Sequence, residues 1–132
     1  MGKIPDEVRD LIEGRNFAHV ATVNPDGSPH VTPVWVDIDD DTVIFTTADG
    51  RTWPENLRRD PRVAISIHDQ ENPYSSARIR GTTRMEPDTG NAHSNLAAKK
   101  YMDVDTYPVP EGQTRIVVRV EPERATYSPP GQ

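Results

Sequence analysis

Apolar residues recur along the chain in two different rhythms, and each change of rhythm marks a new element. In PDEVRDLIEG, Pro5 to Gly14, the residues Val8, Leu11 and Ile12 fall at i, i+3 and i+4, behind a proline and ahead of a glycine. This spacing predicts a short amphipathic helix. From Phe17 to Val23 the residues become small and β-prone. NPDG (Asn24 to Gly27) then places proline second and glycine fourth, as a type I turn prefers, and Val31 to Asp37 resumes an extended pattern. The pair reads as a hairpin. DDD at Asp39 to Asp41 turns the chain into TVIFTT, Thr42 to Thr47, so three antiparallel strands are expected to follow one another in a meander.

Further on, Val63 to His68 and Ala77 to Met85 read as two more strands, joined by the loop DQENPYSS. Asn91 to Tyr101 is a helix candidate, Asp103 to Gln113 a long loop rich in turn residues, and Thr114 to Val120 a sixth strand whose extension past Pro122 is left open. Residues 125–132 read as a flexible C-terminal tail. Six or seven short strands with two or three short helices at the corners predict a mainly β fold, a closed or nearly closed antiparallel barrel. A sandwich would place fewer helices between strands.

Composition narrows the function. The 132 residues suit a single domain, spanning 1–132, with thirteen prolines, 33% hydrophobic residues and a low mean hydropathy of -0.74. The core is therefore small, and a partner subunit is expected to cover part of the surface. Zero cysteines exclude disulfides, thiolate metal sites and a cysteine nucleophile, and fit a cytoplasmic protein. No apolar run approaches the roughly 20 residues of a membrane span, and Asp6, Glu7, Arg9 and Asp10 stand where a signal peptide has its apolar core. A pI near 5.1 argues against nucleic-acid binding.

Against the net charge of -6, the stretch Arg51 to Arg62 is +2, because Arg51, Arg58, Arg59 and Arg62 outnumber Glu55 and Asp60. Thr52 and Glu55 have the T-x-x-E spacing of a capping box, and Pro54 is tolerated in a first helical turn, so a helix is expected from Thr52. Thr46, Thr47, Arg51 and the helix N-terminus then converge as a phosphate would require. The alternative is a well-capped connecting helix whose arginines face water or acidic neighbours. Arg51 is set apart, since the other three lie at or beyond the helix C-terminus, where the dipole accounts for them. In SPHVTPVWVD, Pro33 removes one ladder donor and demands an edge, a bulge or a wall facing something other than a strand. Trp35, on the same face, either packs in the core or stacks on a ring.

The order HVATVNPDGSPHVTPVW, IFTTADGR, NLRRDPRVAISIHDQENPY and IRGTTRME resembles the split β-barrel superfamily of flavin and deazaflavin oxidoreductases, related to pyridoxamine 5'-phosphate oxidase. It is most similar to the actinobacterial branch that uses the deazaflavin coenzyme F420. The resemblance covers residues 5 to 124. It implies a six-stranded antiparallel split β-barrel (the FMN-binding split barrel) with two to three short helices, and a homodimer with cofactor sites at the subunit interface. The family's ring-lining strand falls on His30, Thr32, Pro33, Val34 and Trp35. The segment holding the ribityl and phosphate part falls on Thr46, Thr47 and Ala48, with Arg51 as the phosphate-binding basic residue and Asn56 on the following helix. Tyr74 corresponds to a residue that reaches the neighbouring subunit's ring. Deazaflavin-binding relatives carry a lysine where this chain has Trp53, which implies a weaker site for a glutamylated tail or a different ligand, FMN. Haem, bound by some relatives, needs an axial ligand that His19, His30, His68 and His93 do not single out.

The residues point to no catalytic side chain, nucleophile elbow, dinucleotide fingerprint or metal ligand set. If the protein is an enzyme, its cofactor carries the reaction. The expected function is an F420-dependent oxidoreductase moving a hydride between coenzyme and a small conjugated acceptor. The alternatives are an FMN-binding protein of the oxidase type and a non-catalytic flavin- or haem-binding barrel.

Overall fold

A computed structural model describes residues 4–131 of the protein. The elements run α1 (Asp6–Glu13), β1 (Ala18–Val23), β2 (Pro29–Val34), β3 (Asp37–Asp39), β4 (Thr42–Ala48), α2 (Thr52–Arg59), β5 (Arg62–His68), β6 (Ser76–Pro87), a 3-10 turn (Thr89–Asn91), α3 (Ala92–Met102) and β7 (Arg115–Ser128). The strands form one antiparallel sheet of seven in the order β2-β1-β5-β6-β7-β4-β3. The fold is thus mainly β with three short helices.

The first hairpin forms as its turn residues dictate. Gly27 donates to the Asn24 carbonyl at 2.9 Å, closing the type I turn, with φ of 87° at the glycine. The expected meander does not form. β2 and β3 lie at opposite edges of the sheet, and what read as one strand to Asp37 breaks after Val34. Only Trp35 and Val36 join these edges, so the ends of the two strands stand within about 11 Å of each other. A seven-stranded sheet can satisfy that link only by curling round on itself. No β2–β3 ladder occurs among the described residues, and the barrel is split at this seam.

Residues of both rhythms meet inside the curl. Val8, Leu11 and Ile12 of α1 join Val20, Phe45, Ile65, Ile67, Ile79, Val118 and Val120 in one buried cluster, with α1 packed on β3, β5, β6 and β7. The last two strands are longer than their apolar runs suggested. β6 and β7 pair from Ser76↔Ser128 to Pro87↔Ile116, so Ala125 to Ser128 belong to a strand and not to a tail. Pro122 is accommodated by a bulge: Arg80 faces Arg124 and Gly81 faces Pro122, leaving Glu123 as the extra residue. At Gly81 a Cβ would lie 2.3 Å from the Glu121 carbonyl oxygen, so only glycine allows this approach.

Candidate cofactor groove

A groove of about 470 Å³ opens beside the seam. β2 supplies Thr32, Pro33 and Val34 to its wall, and the crossover adds Trp35. The end of β4 brings Thr46 and Thr47, and the turn into α2 brings Arg51 and Trp53. Three further residues complete it: Phe17 ahead of β1, Tyr107 from the long loop, and Arg115 at the start of β7. Pro33 sits on an edge strand, paired only with His19 of β1, which is where a missing ladder donor is tolerated.

The arginines of the stretch Arg51 to Arg62 separate by their partners. Arg58 binds Asp49 and Glu55, each at 2.7 Å, Arg62 binds Asp60 at 2.7 Å, and Arg59 donates to the Val23 carbonyl. Asp60 is held down to about 2, chiefly by the hydrogen bond from Arg62. These three are accounted for by their own neighbours. Arg51 has no ion pair or side-chain hydrogen bond among the described residues and is exposed at the groove. It is also the N-cap of α2, since Glu55 donates to the Arg51 carbonyl at 3.1 Å. The capping box expected of Thr52 and Glu55 is therefore absent. The helix begins one residue too early for it, and the Glu55 carboxylate turns to Arg58 instead. Pro54 costs nothing, because amides of a first turn lack intrahelical partners.

Trp35 resolves in favour of stacking, but on protein. Its ring lies parallel to Tyr101 with centroids 5.0 Å apart, while Tyr107 meets it edge-on at 6.1 Å and Phe17 stacks on the other ring of the pair, Tyr101, at 5.7 Å. Trp53 is only 4% exposed and packs edge-on against Phe45 at 5.9 Å, so its indole belongs to the core as well as to the groove wall.

Four of the residues expected at the site lie outside the groove. His30 faces Thr22 on the hairpin, with a buried Nδ1 that finds no partner. Ala48 is buried at the end of β4, paired with Arg115 of β7. Asn56 is buried and donates to Thr22 Oγ1 at 3.0 Å and to Asn24 Oδ1 at 2.9 Å, fastening α2 to the hairpin. Tyr74 is 74% exposed on the loop between β5 and β6.

Arg115 is the residue that sequence reading missed. It is 7% exposed, and burial lowers its pKa, with the like charge of Arg51 adding to the effect. Its partners are neutral oxygens: Ser94 Oγ at 3.2 Å from Nε, Gln113 Oε1 at 2.9 Å from Nη1, and Thr46 Oγ1 at 3.4 Å from Nη2. Tyr107 covers the guanidinium, its ring centroid 4.2 Å away. The available signal was an arginine opening the apolar run IVV, where a charge is out of place.

Residues 4–128 match the family model for pyridoxamine 5'-phosphate oxidase. The chain belongs to that family. Among solved structures it is similar to an F420 reductase, at 30% identity over 93% of this chain and 98% of that one, with a TM-score of 0.83. HupZ of Group A Streptococcus is 26% identical over 94% of this chain and 93% of that one, at a TM-score of 0.69. A conserved hypothetical protein from Mycobacterium tuberculosis, 23% identical over 97% of this chain and 89% of that one at a TM-score of 0.75, shares the fold.

The sheet does bring two histidines together. His19 and His68 stack with ring centroids 6.4 Å apart on neighbouring strands, and neither lines the groove. No group of three or more metal-ligating side chains occurs among the described residues, and no described helix is long and apolar enough to cross a membrane.

Proposed function

We propose that this member of the pyridoxamine 5'-phosphate oxidase family is an F420-dependent oxidoreductase that acts on a small conjugated acceptor. The observation that carries the reading is Arg51: an exposed arginine with no ion pair or side-chain hydrogen bond among the described residues, placed between Thr47 and the N-terminus of α2, in one groove with the donor-poor wall at Pro33. The residues fit a flat ring bearing a phosphate. Thr32 to Trp35 offer a wall for the ring, and Thr46, Thr47 and Arg51 offer hydroxyls and a guanidinium for the phosphate. The choice of deazaflavin over FMN is supported by the similarity to the F420 reductase along nearly the whole chain.

When bound, the deazaflavin supplies two-electron hydride chemistry. The chain's own part is to bind and orient: the β2 wall fixes one face of the ring, and the arginine fixes the phosphate end. We further propose a homodimer. The outward face of β1, β2 and β5 carries the small residues Ala21, Ala64 and Ser66 beside Val31, which is 65% exposed, and a second copy would cover it.

The test is turnover. The protein is incubated with reduced F420 and, separately, with reduced FMN, against a panel of quinones and enones. Acceptor-dependent reoxidation of F420 is expected. Reoxidation with FMN alone would replace the cofactor assignment, and tight binding without any turnover would make the protein a cofactor carrier.

A further inference from the structure

The ladder registers arrange the outward face of the sheet in rows. One row runs Val31, Ala21, Ala64, Arg80, Arg124 from β2 to β7, and the row above it runs Pro33, His19, Ser66, Arg78, Thr126. Arg80 and Arg124 are therefore direct cross-strand partners, and like charges in that relation destabilise a sheet. Both are exposed, and neither has an ion pair or side-chain hydrogen bond among the described residues. Arg78 adds a third positive charge and donates only to Ser128 Oγ, at 3.0 Å. The neighbouring acids do not help. Asp60 is taken by Arg62, Glu121 lies 3.9 Å from Arg84, and Glu123 of the bulge borders the same depression without an ion pair among the described residues. In a chain of net charge -6, this face is basic and uncompensated.

The complementary charge stands at the top of the same face. The loop between β5 and β6 carries Glu71, exposed and without an ion pair among the described residues. Its backbone is fixed: the Asp69 amide donates to the Ser75 carbonyl and the Ser75 amide to the Asn72 carbonyl, each at 2.9 Å, and the Gln70 amide donates to the buried Asn16 Oδ1 at 2.9 Å. Asp69 is used within the loop, where it accepts from the Glu71 amide at 2.9 Å. Glu7, Asp10, Asp69 and Glu71 outnumber Arg15 around that end of the barrel, so its potential is negative. Arg80 lies four residues along β6 from Ser76, where the loop ends, roughly 13 Å of strand. The two charges thus sit at opposite ends of the face and form no ion pair within one chain.

Resting on the homodimer proposed above, we infer that two copies dock face to face with Glu71 of each seated on the Arg80 and Arg124 pair of the other. A two-fold axis lying in the plane of the face, across the strands at the level of His19 and Arg78, turns the upper end of one copy onto the lower end of the second. The contact is then isologous and is made twice. Each carboxylate meets two guanidiniums and relieves their mutual repulsion as it binds. Ala21 and Ala64 leave room for the approach, and Val31, 65% exposed, is covered with them. Both halves of the contact belong to this chain, so the occupant is a second copy and not an unrelated acidic protein.

The dimer dissociation constant of the full chain is measured by sedimentation equilibrium. In wild type it should rise as sodium chloride is added, because ion pairs at the edge of an interface are screened. Glu71→Arg alone, and Arg80→Glu with Arg124→Glu, should each weaken self-association by about tenfold or more, since each sets like charges against one another at both contacts. Mixed in equal amounts, the two variants should form mixed dimers at nearly wild-type affinity, because both contacts again join opposite charges. The salt series on unmodified protein covers the case of a poorly folded variant. A wild-type dimer whose affinity is flat with salt, variants that self-associate as wild type does, or a mixture no tighter than its components overturns this docking and leaves the homodimer standing. A wild-type chain that stays monomeric overturns the homodimer and this inference with it.

Discussion

Trp35 lies flat on Tyr101, with ring centroids 5.0 Å apart and planes 4° from parallel. One ring belongs to the two-residue crossover between the sheet edges, the other to the C-terminal end of α3. The stack therefore pins the seam of the barrel from outside the sheet. The Tyr101 hydroxyl adds to it, donating to the Asn16 carbonyl at 2.7 Å and accepting from the Val36 amide at 3.1 Å.

Tyr101→Phe keeps the stack and removes these bonds together with the hydroxyl's longer contact to the Val36 carbonyl at 3.2 Å, so a loss of about 1 to 2 kcal/mol is expected in denaturant unfolding. Burial pushes the phenol up to about 12 from 10.0. The folded state therefore favours the protonated form. Its contribution is complete below pH 10 and is lost as the pH rises through about 12. An alkaline titration followed by ultraviolet absorbance should show this late tyrosine in wild type and not in Tyr101→Phe.

Arg51→Ala is expected to weaken binding of a phosphate-bearing cofactor by about tenfold or more. Arg59→Ala should change it little, since Arg59 is exposed and engaged with the Val23 carbonyl. Equal losses in the two titrations would favour a general basic face over a defined phosphate contact.

Trp53→Lys tests whether position 53 is a vacant tail site. The buried indole packs on Phe45, so lysine there is expected to cost about 3 to 5 kcal/mol in stability, as removal of a core tryptophan does, and to bring no gain in F420 affinity. Thermal unfolding and an F420 titration of the same sample check both parts. A stable variant that binds F420 more tightly would restore the reading of Trp53 as a replaced ligand residue.

A dimeric mass is expected from light scattering at micromolar concentration. Val31→Arg, placed on the exposed small-residue face beside Arg78, Arg80 and Arg124, should shift the mass toward the monomer. A wild-type monomer would remove the homodimer.

Local signals in the chain were enough for α1, the first hairpin and most of the strands. The period of Val8, Leu11 and Ile12 determined α1, NPDG determined the first hairpin, and Thr46, Thr47 and Arg51, close in sequence, fall together along one groove. Pairing was not legible where it is long-range. Nothing local distinguishes a meander from an edge-to-edge crossover at Trp35 and Val36, because that choice depends on the long-range pairing of β1 with β5 and of β4 with β7. The same holds for β7, whose exposed half past Pro122 carries little apolar signal and becomes a strand through its pairing with β6. Asn56 looked like a ligand residue from its place beside Arg51, yet the helix turns it to Thr22 and Asn24 of the hairpin, while the indole of Trp53 is shared between core and groove wall. Arg115 went the other way: 64 residues separate it from Arg51, and only the β4–β7 ladder sets it at the same groove. Side-chain chemistry was readable from sequence, but which charges share a site was decided by the register of the sheet.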